Sequence, residues 1–463
     1  MEEHQVIDND EDKPEKDAYV LGQKTVAAIL YAVDAQDKTK LAELMEPLHA
    51  ADIADLLEQI NTFDRRQLVE LYGGAFDGEI LSELNEDIRE EIITALKPDV
   101  LADAVRELDS DDVVDLVEDL DPPQQEAILD ALEDADRVAV EQALSFPEYS
   151  AGRLMQREVV MAPEHWNVGE AIDFMRNHDD MPEQFYHVVL VDPAMRPVGH
   201  VTLGKILSHP REMKLTEIVE PSFRTFQLDE DEGDVAYAFN QYHLISAPVV
   251  DKVGRLVGVI TIDDAMSVLD DEHEEDILRL AGVGDGSLAA KVIETTRARL
   301  PWLAVNLVTA ILASLVIAQF EDTIAQFVAL AVLMPIVASM GGNAGTQALT
   351  VAVRAIATRD LTGSNVWRVI RREVLVGLAN GLIFAVVMGA VGLIWFGSPV
   401  LGGVIAAAMV INMVIAGFAG ILIPVVLDRL RVDPALASGA FVTTVTDVVG
   451  FLAFLGLAAI FLL

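Results

Sequence analysis

The chain has 463 residues, 52% of them hydrophobic, and a formal net charge of -43. Residues 297–463 hold 9 Lys+Arg and 7 Asp+Glu, so residues 1–296 hold 23 and 68. A polyanion joined to an almost uncharged part excludes a simple soluble enzyme and argues against nucleic-acid binding, which needs basic surface. The absence of cysteine excludes disulfides and thiolate metal sites.

In chain order, residues 1–23 are expected to form an acidic flexible tail. Its first 20 residues lack an apolar core, so no cleavable signal is expected and the N-terminus is placed in the cytoplasm. Residues 24–148 are predicted to be a helical domain. Leu48, Ile53, Leu56, Leu57 and Ile60 fit a helical stripe, and Leu84, Leu96, Leu108, Leu120 and Leu132 recur every 12 residues, each before a polar break. Short helices stacked as a superhelix would produce that rhythm. Ser110-Asp111-Asp112 looks like a helix start, its acids serving as cap and first-turn charges.

Residues 149–212 and 213–270 form an internal repeat. The stretch from Val188 through Asp192 and Gly199 to Thr202 matches that from Ala247 through Asp251 and Gly258 to Thr261. Each copy is predicted as helix, strand, turn, strand, helix, and the two should pack as a pseudo-symmetric pair. A long helix is expected over 263–296, with 271–298 as the connection to the remaining chain. It carries Asp270, Asp271, Glu272, Glu274, Glu275 and Asp276. Such a run is usually a solvated face. Beside other acidic surface it would also serve as a cation sensor, since divalent cations relieve self-repulsion. For His243 and His273 a surface role is expected rather than a ligand role.

Residues 299–463 contain five apolar runs long enough to cross a bilayer: 302–319, 326–352, 374–396, 400–427 and 437–462. Buried soluble helices are the competing explanation, but five such runs would leave no polar face. Arg297, Arg299, Arg354, Arg359, Arg368, Arg371, Arg372, Arg429 and Arg431 all fall in the loops on one side. The positive-inside rule then puts the N-terminus inside and the C-terminus outside. Within the spans, Pro335 precedes Gly341-Gly342-Asn343-Ala344-Gly345-Thr346-Gln347. The amides of Asn343 and Gln347 share one helical face. That face fits an ion path, and equally a packing seam with interhelical amide hydrogen bonds. Asp447 is ionisable and deep in the last run, with Thr443 one turn before it. A carboxylate in hydrocarbon should face a watery or ion-filled interior; a protonated Asp bonded to a neighbouring helix is the alternative. Glu373 is expected to form an interfacial ion pair, and Asn306 and Asn412 to be packing amides. Carboxylate, amide, hydroxyl and backbone oxygens suit Mg²⁺, Ca²⁺ or Mn²⁺. One Asp per chain is too little for a dehydrated Mg²⁺, so a hydrated ion between symmetry-related Asp447 side chains, most simply in a C2 dimer, is expected.

Pro335 with GGNAGTQ, TTVTDVVGF around Asp447, and FPEYSAGRLM at 146–155 resemble the MgtE family of magnesium transporters over nearly the whole chain. The resemblance implies a multidomain chain: a helical superhelix N domain, a tandem CBS pair of α/β type, a long connecting "plug" helix and an all-α, five-helix transmembrane domain. It implies a homodimeric Mg²⁺ channel in the plasma (inner) membrane, with Asp447, Gly342, Asn343, Thr346 and Thr443 in the pore. It also implies closure when cytosolic Mg²⁺ binds Asp111, Asp115, Asp264, Glu272, Glu275 and Asp276. Ser267 and His243 depart from acids found in some relatives. Some members bind ATP between the CBS repeats; Thr261 and Asp264 fit that role, while Gly204 takes the acidic position of the first repeat. A carrier of Co²⁺, Mn²⁺ or Ca²⁺ is the alternative function, and a membrane-anchored nucleotide sensor is a more distant one. No nucleophile–base pair or phosphate-cradling loop supports an enzyme.

Overall fold

The computed structural model describes residues 21–463 except 119, 179–180, 183 and 284–291. The tail expected over 1–23 thus falls almost wholly outside the described residues. The chain forms two compact units, Met1–Asp270 and Asp271–Leu463.

The first unit begins with short helices: α1 (Gln23–Asp34), α2 (Lys38–Met45), α3 (Ala50–Gln59), α4 (Thr62–Tyr72), α5 (Glu79–Ser82), α6 (Glu86–Ala95), α7 (Pro98–Arg106), α8 (Ser110–Glu118), α9 (Pro122–Leu129) and α10 (Asp134–Ala143). Their starts are written locally. Asp37 and Asn61 accept from backbone N–H groups at the heads of α2 and α4, and proline opens α7 and α9, where its missing N–H costs nothing. The 12-residue leucine rhythm places one leucine just past the end of each helix from α5 to α9, turned into or against the common core. Two largely buried arginines act as struts between turns of the stack. Arg65 pairs with Glu91, and Arg89 pairs with Asp115 at 2.7 Å.

The paired repeats follow a one-turn helix α11 (Ala151–Leu154). The first holds β1 (Met161–Pro163), α12 (Val168–Asn177), β2 (His187–Val191), β3 (Pro197–Thr202) and α13 (Leu203–Ser208); the second holds β4 (Phe226–Gln227), α14 (Glu232–Tyr242), β5 (Ser246–Val250) and β6 (Leu256–Thr261). Each forms a three-stranded sheet in which a short parallel strand joins an antiparallel hairpin. β1 and β4 have three and two residues, too short for a period-2 pattern to announce them. His187 pairs with Thr202 in β2–β3, and Ser246 with Thr261 in β5–β6. By that register Lys205, not Gly204, is the counterpart of Asp264. Its backbone N–H caps onto Thr202, as that of Thr261 approaches Asp264.

After β6 comes α15 (Ile262–Leu280). The helix expected over 263–296 is therefore not continuous among the described residues. Gly282 adopts φ +69, and Val283 N–H closes back on the Leu278 carbonyl at 2.9 Å. That is a glycine C-terminal cap, a signal present in the sequence. The middle of the expected connecting segment lies outside the described residues.

The second unit holds α16 (Val292–Ala318), α17 (Glu321–Gln326), α18 (Ala329–Ala357), α19 (Val366–Phe396), α20 (Pro399–Arg429) and α21 (Pro434–Phe461). Five of these are long and apolar enough to cross a bilayer. α20 is central, its buried residues distributed from Leu401 to Val425. Small residues let the helices meet backbone to backbone. A Cβ on Gly377 would lie 2.4 Å from the Met413 carbonyl oxygen, and one on Gly417 2.6 Å from that of Glu373. Asn412 is fully buried and donates from Nδ2 to the Val337 carbonyl at 2.8 Å, as expected of a packing amide. Asn306, by contrast, is exposed in this chain. Glu373 forms no ion pair among the described residues, because helical geometry turns it away from the exposed arginines beside it.

Candidate functional site

The intramembrane polar residues lie on two crossing helices. Gly345 of α18 packs so close to α21 that a Cβ there would sit 2.6 Å from Val442 Cγ1. Around that crossing, Gly341, Gly345, Ala348 and Leu349 are the buried face of α18, while Asn343, Thr346, Gln347 and Thr350 are exposed. Gly342 has nothing within 4 Å of its would-be Cβ. On α21, Val442 and Thr446 are buried, Thr443 is exposed and Asp447 is half-buried. The Thr346 and Thr446 hydroxyls donate to the Gly342 and Val442 carbonyls. The exposed Thr346 oxygen keeps its lone pairs for a cation while Thr446 is buried, and no amine or imidazole lies in these spans. The crossing thus gathers the five predicted pore residues on its two helices, and part of that polar face is uncovered.

The acidic first unit contains a carboxylate cluster where the head of α8 meets the end of β6. Asp111 and Asp264 are within hydrogen-bonding reach, and Asp109, Asp112, Asp263 and Glu158 stand around them. Ser110 Oγ donates to Glu158 at 2.8 Å and accepts from Arg157 N–H at 2.9 Å, tying the helical stack to the chain entering the first repeat. Thr261 Oγ donates to Asp264 at 2.6 Å. Burial pushes the Asp109 carboxyl up to about 6, with Glu158 and Asp264 adding to it. Burial and then Asp264 push Asp112 up to about 7. Asp111 and Asp264 are raised in the same direction, burial again being the first cause. Carboxyls crowded and raised by burial and by one another would suit a divalent ion that keeps most of its water. Among the described residues no three acids or histidines already enclose a metal position.

Asp115 lies at the edge of the cluster, its charge adding to the rise of Asp112, with one oxygen committed to Arg89 and its side chain 62% exposed. Asp109, Asp112, Asp263 and Glu158 escaped the sequence-based selection. The Ser-Asp-Asp helix start carried the signal, but acids there have an ordinary capping explanation.

The remaining predicted sensor residues, Glu272, Glu275 and Asp276, lie on α15. Glu275 is paired with Arg279, which also reaches Asp433 at 2.9 Å. Burial, then Asp433, raises the Asp276 carboxyl. Leu280 packs against Leu349 and Val353 of α18 and Ala435 and Val442 of α21. The end of α15 is therefore seated on the two helices that carry the pore candidates. Neither Arg279 nor Leu280 stands out in the sequence, because the partners that give them importance lie some 70 to 160 residues away. His243 closes α14 in the left-handed region at φ 53, a capping role.

Between the repeats, a narrow cleft is lined by Val160, Phe185, Tyr186, His187, Ser246 and Thr261. His187 and Ser246 hold equivalent positions and meet at 2.5 Å. Thr261 thus faces the cleft while Asp264 belongs also to the carboxylate cluster.

Comparison with known proteins gives three family matches: a divalent cation transporter model, MgtE, over residues 334–457, the MgtE intracellular N domain over 48–149, and CBS domains over 151–212 and 215–271. The magnesium transporter MgtE of Thermus thermophilus is 33% identical over 95% of this chain and 99% of that protein. The magnesium transporter MgtE of Bacillus subtilis is 31% identical over 70% of this chain and 72% of that protein. A crystal structure of the cytosolic domain of the Mg²⁺ channel MgtE in complex with ATP aligns at TM-score 0.49 and 29% identity, over 52% of this chain and 99% of that one.

Proposed function

This chain belongs to the MgtE family of divalent cation transporters, and we propose that it conducts hydrated Mg²⁺ across the plasma (inner) membrane and is closed by Mg²⁺ bound to its acidic cytosolic residues. The carrying observation is the uncovered polar face at the crossing of α18 and α21 in an otherwise apolar membrane unit. Lipid cannot satisfy Asn343, Thr346, Thr443 and Asp447, so that face requires water or a second copy of the chain. A homodimer supplies both. Two copies related by a twofold axis bring two Asp447 side chains around one path, and Gly342, Asn343, Thr346 and Thr443 complete its oxygen lining. Mg²⁺ keeps its inner waters there and meets the carboxylates through them.

On the cytosolic side, Asp111 and Asp264 form the heart of the sensor, with Asp112 and Asp109 reinforcing it. Glu272, Glu275 and Asp276 act on α15, whose end touches the pore helices. Asp115 contributes at most one oxygen while its pair with Arg89 persists. Mg²⁺ binding that favours the closed form shifts the population towards it. ATP is assigned to the cleft beside Thr261 and Asp264, where Phe185 and Tyr186 suit an adenine ring. The surrounding carboxylates repel a bare triphosphate, so the nucleotide binds there as its Mg²⁺ complex. The arginine distribution supports a cytoplasmic N-terminus and an external C-terminus.

The test is Mg²⁺ flux into proteoliposomes containing the wild type or Asp447→Ala. Wild-type flux that is lost in the variant and suppressed by Mg²⁺ on the cytosolic face is expected. Equal flux in the two would remove Asp447 from the path. The oxygen donors suit Mn²⁺, Co²⁺ and Ca²⁺ as well, so the same assay with these ions as competitors decides the cargo. A nucleotide sensor merely anchored by its spans would be indifferent to Asp447→Ala.

A further inference from the structure

Arg368, Arg371 and Arg372 sit at the start of α19, all exposed. None of them forms an ion pair among the described residues, although Glu373 is adjacent in sequence. They share a surface with Trp367, Leu375 and Val376. That surface continues along the helix through the exposed Leu382, Ile383 and Val386, and Trp395 is exposed at the far end of the same helix. The opposite face, from Val366 and Ile370 through Gly377, Gly381 and Ala385 to Gly392, is the buried one. The arginines thus stand on the lipid-facing side of a membrane helix. The two tryptophans lie about 42 Å apart along the axis at about 1.5 Å per residue. That spans the roughly 30 Å hydrocarbon core and reaches into the interfacial regions that bring a bilayer to roughly 40–45 Å, where tryptophan concentrates. Trp367 marks one headgroup layer, and the three arginines lie in it.

We propose that the start of α19 binds the headgroup phosphate of an anionic phospholipid, whose acyl chain lies along the apolar stripe beyond Leu375. Guanidinium groups at helical positions i, i+3 and i+4 converge on one patch. They are planar multidentate donors that match phosphate oxygens. Charge complementarity alone would also admit the acidic residues 1–296 as the occupant. The unbroken apolar continuation of the same face favours lipid, because a protein contact needs no such stripe.

The experiment uses the full chain in mixed bilayers of phosphatidylcholine and phosphatidylglycerol, followed by native mass spectrometry of the lipids retained on extraction. Wild type should retain phosphatidylglycerol selectively. Arg368→Gln/Arg371→Gln/Arg372→Gln should lose that selectivity by roughly tenfold or more. The corresponding triple lysine variant should keep most of it, and Arg429→Gln/Arg431→Gln should leave it intact. Undiminished selectivity in the triple glutamine variant would overturn the proposal and favour the acidic residues as occupant. A second measurement needs no arginine change. With Trp166, Trp302 and Trp395 replaced by Phe, brominated phosphatidylglycerol should quench Trp367 emission more than brominated phosphatidylcholine; equal quenching would refute the site.

Discussion

Asp109 and Asp112 hold protons near neutrality because burial and neighbouring acids disfavour their charged forms. For a carboxyl raised above its ordinary value of 3.8, the folded state binds the proton more tightly than the unfolded one. Its contribution to stability is present at low pH and is lost as pH rises through about 6 and then about 7. A divalent cation should replace the proton in that role. Protection factors of the α8 amides without Mg²⁺, taken relative to the intrinsic exchange rate at each pH, are expected to be larger at pH 5 than at pH 8. Millimolar Mg²⁺ should restore protection at pH 8 and change little at pH 5; protection independent of both would remove this cluster from the sensor. Calorimetry near pH 6.5 should also show proton release on Mg²⁺ binding, diminished in Asp112→Asn. Asn412 gives a second prediction at this scale. It is fully buried between Gly341 and Gly450, so Asn412→Ala forfeits its hydrogen bond to Val337 and leaves a cavity. About 1–3 kcal/mol of lost stability is expected, read as a lower unfolding midpoint in detergent.

At the scale of elements, the α19–α20 seam depends on glycine because backbone, which cannot move aside, fills the space of the missing side chain. Gly377→Ala and Gly417→Ala should each cost about 1–3 kcal/mol. Gly403→Ala, with nothing within 4 Å, should be neutral or slightly stabilising; equal effects of all three would contradict the seam. The joint between α15 and the pore helices gives a functional prediction. Arg279→Ala breaks the link to Asp433, and Leu280→Ala removes contact with Val442, one residue from Thr443. Both variants should conduct while requiring several-fold more cytosolic Mg²⁺ to close. Closure at the wild-type concentration would show that the joint does not transmit the signal. The early end of α15 belongs to the same scale. A Cβ on Gly282 would collide with Trp302 in a backbone conformation that side chains avoid.

For the whole molecule, the dominant feature is an acidic excess confined to one part of the chain. On the proposed mechanism, low Mg²⁺ would leave that excess self-repelling and bound Mg²⁺ would compact it. Limited proteolysis of the full chain in bilayers should therefore find α15 cut more slowly as Mg²⁺ rises into the millimolar range. Unchanged cutting would sink the proposed sensor while leaving the pore untouched. Monovalent salt at matched ionic strength should protect much less, because screening lacks the bridging of a site-bound divalent ion.

Composition and periodicity alone determined the division into an acidic part and a membrane part, the five spans and the internal repeat. Each is a local property: an apolar run of spanning length, a charge count, or a recurrence at fixed spacing. Asp447, Asn343 and Thr443 were legible for the same reason, since a polar group inside an apolar run stands out without knowledge of its neighbours. Tertiary structure decided what depends on chain segments distant in sequence. It joined Asp111 to Asp264, diverted Asp115 to Arg89, buried Asn412 while leaving Asn306 exposed, and set Leu280 against Val442. Glu373 and the arginines beside it show the limit most plainly: adjacency suggested an ion pair, but a helix turns neighbours to different faces, and packing against α20 determined which face met the protein.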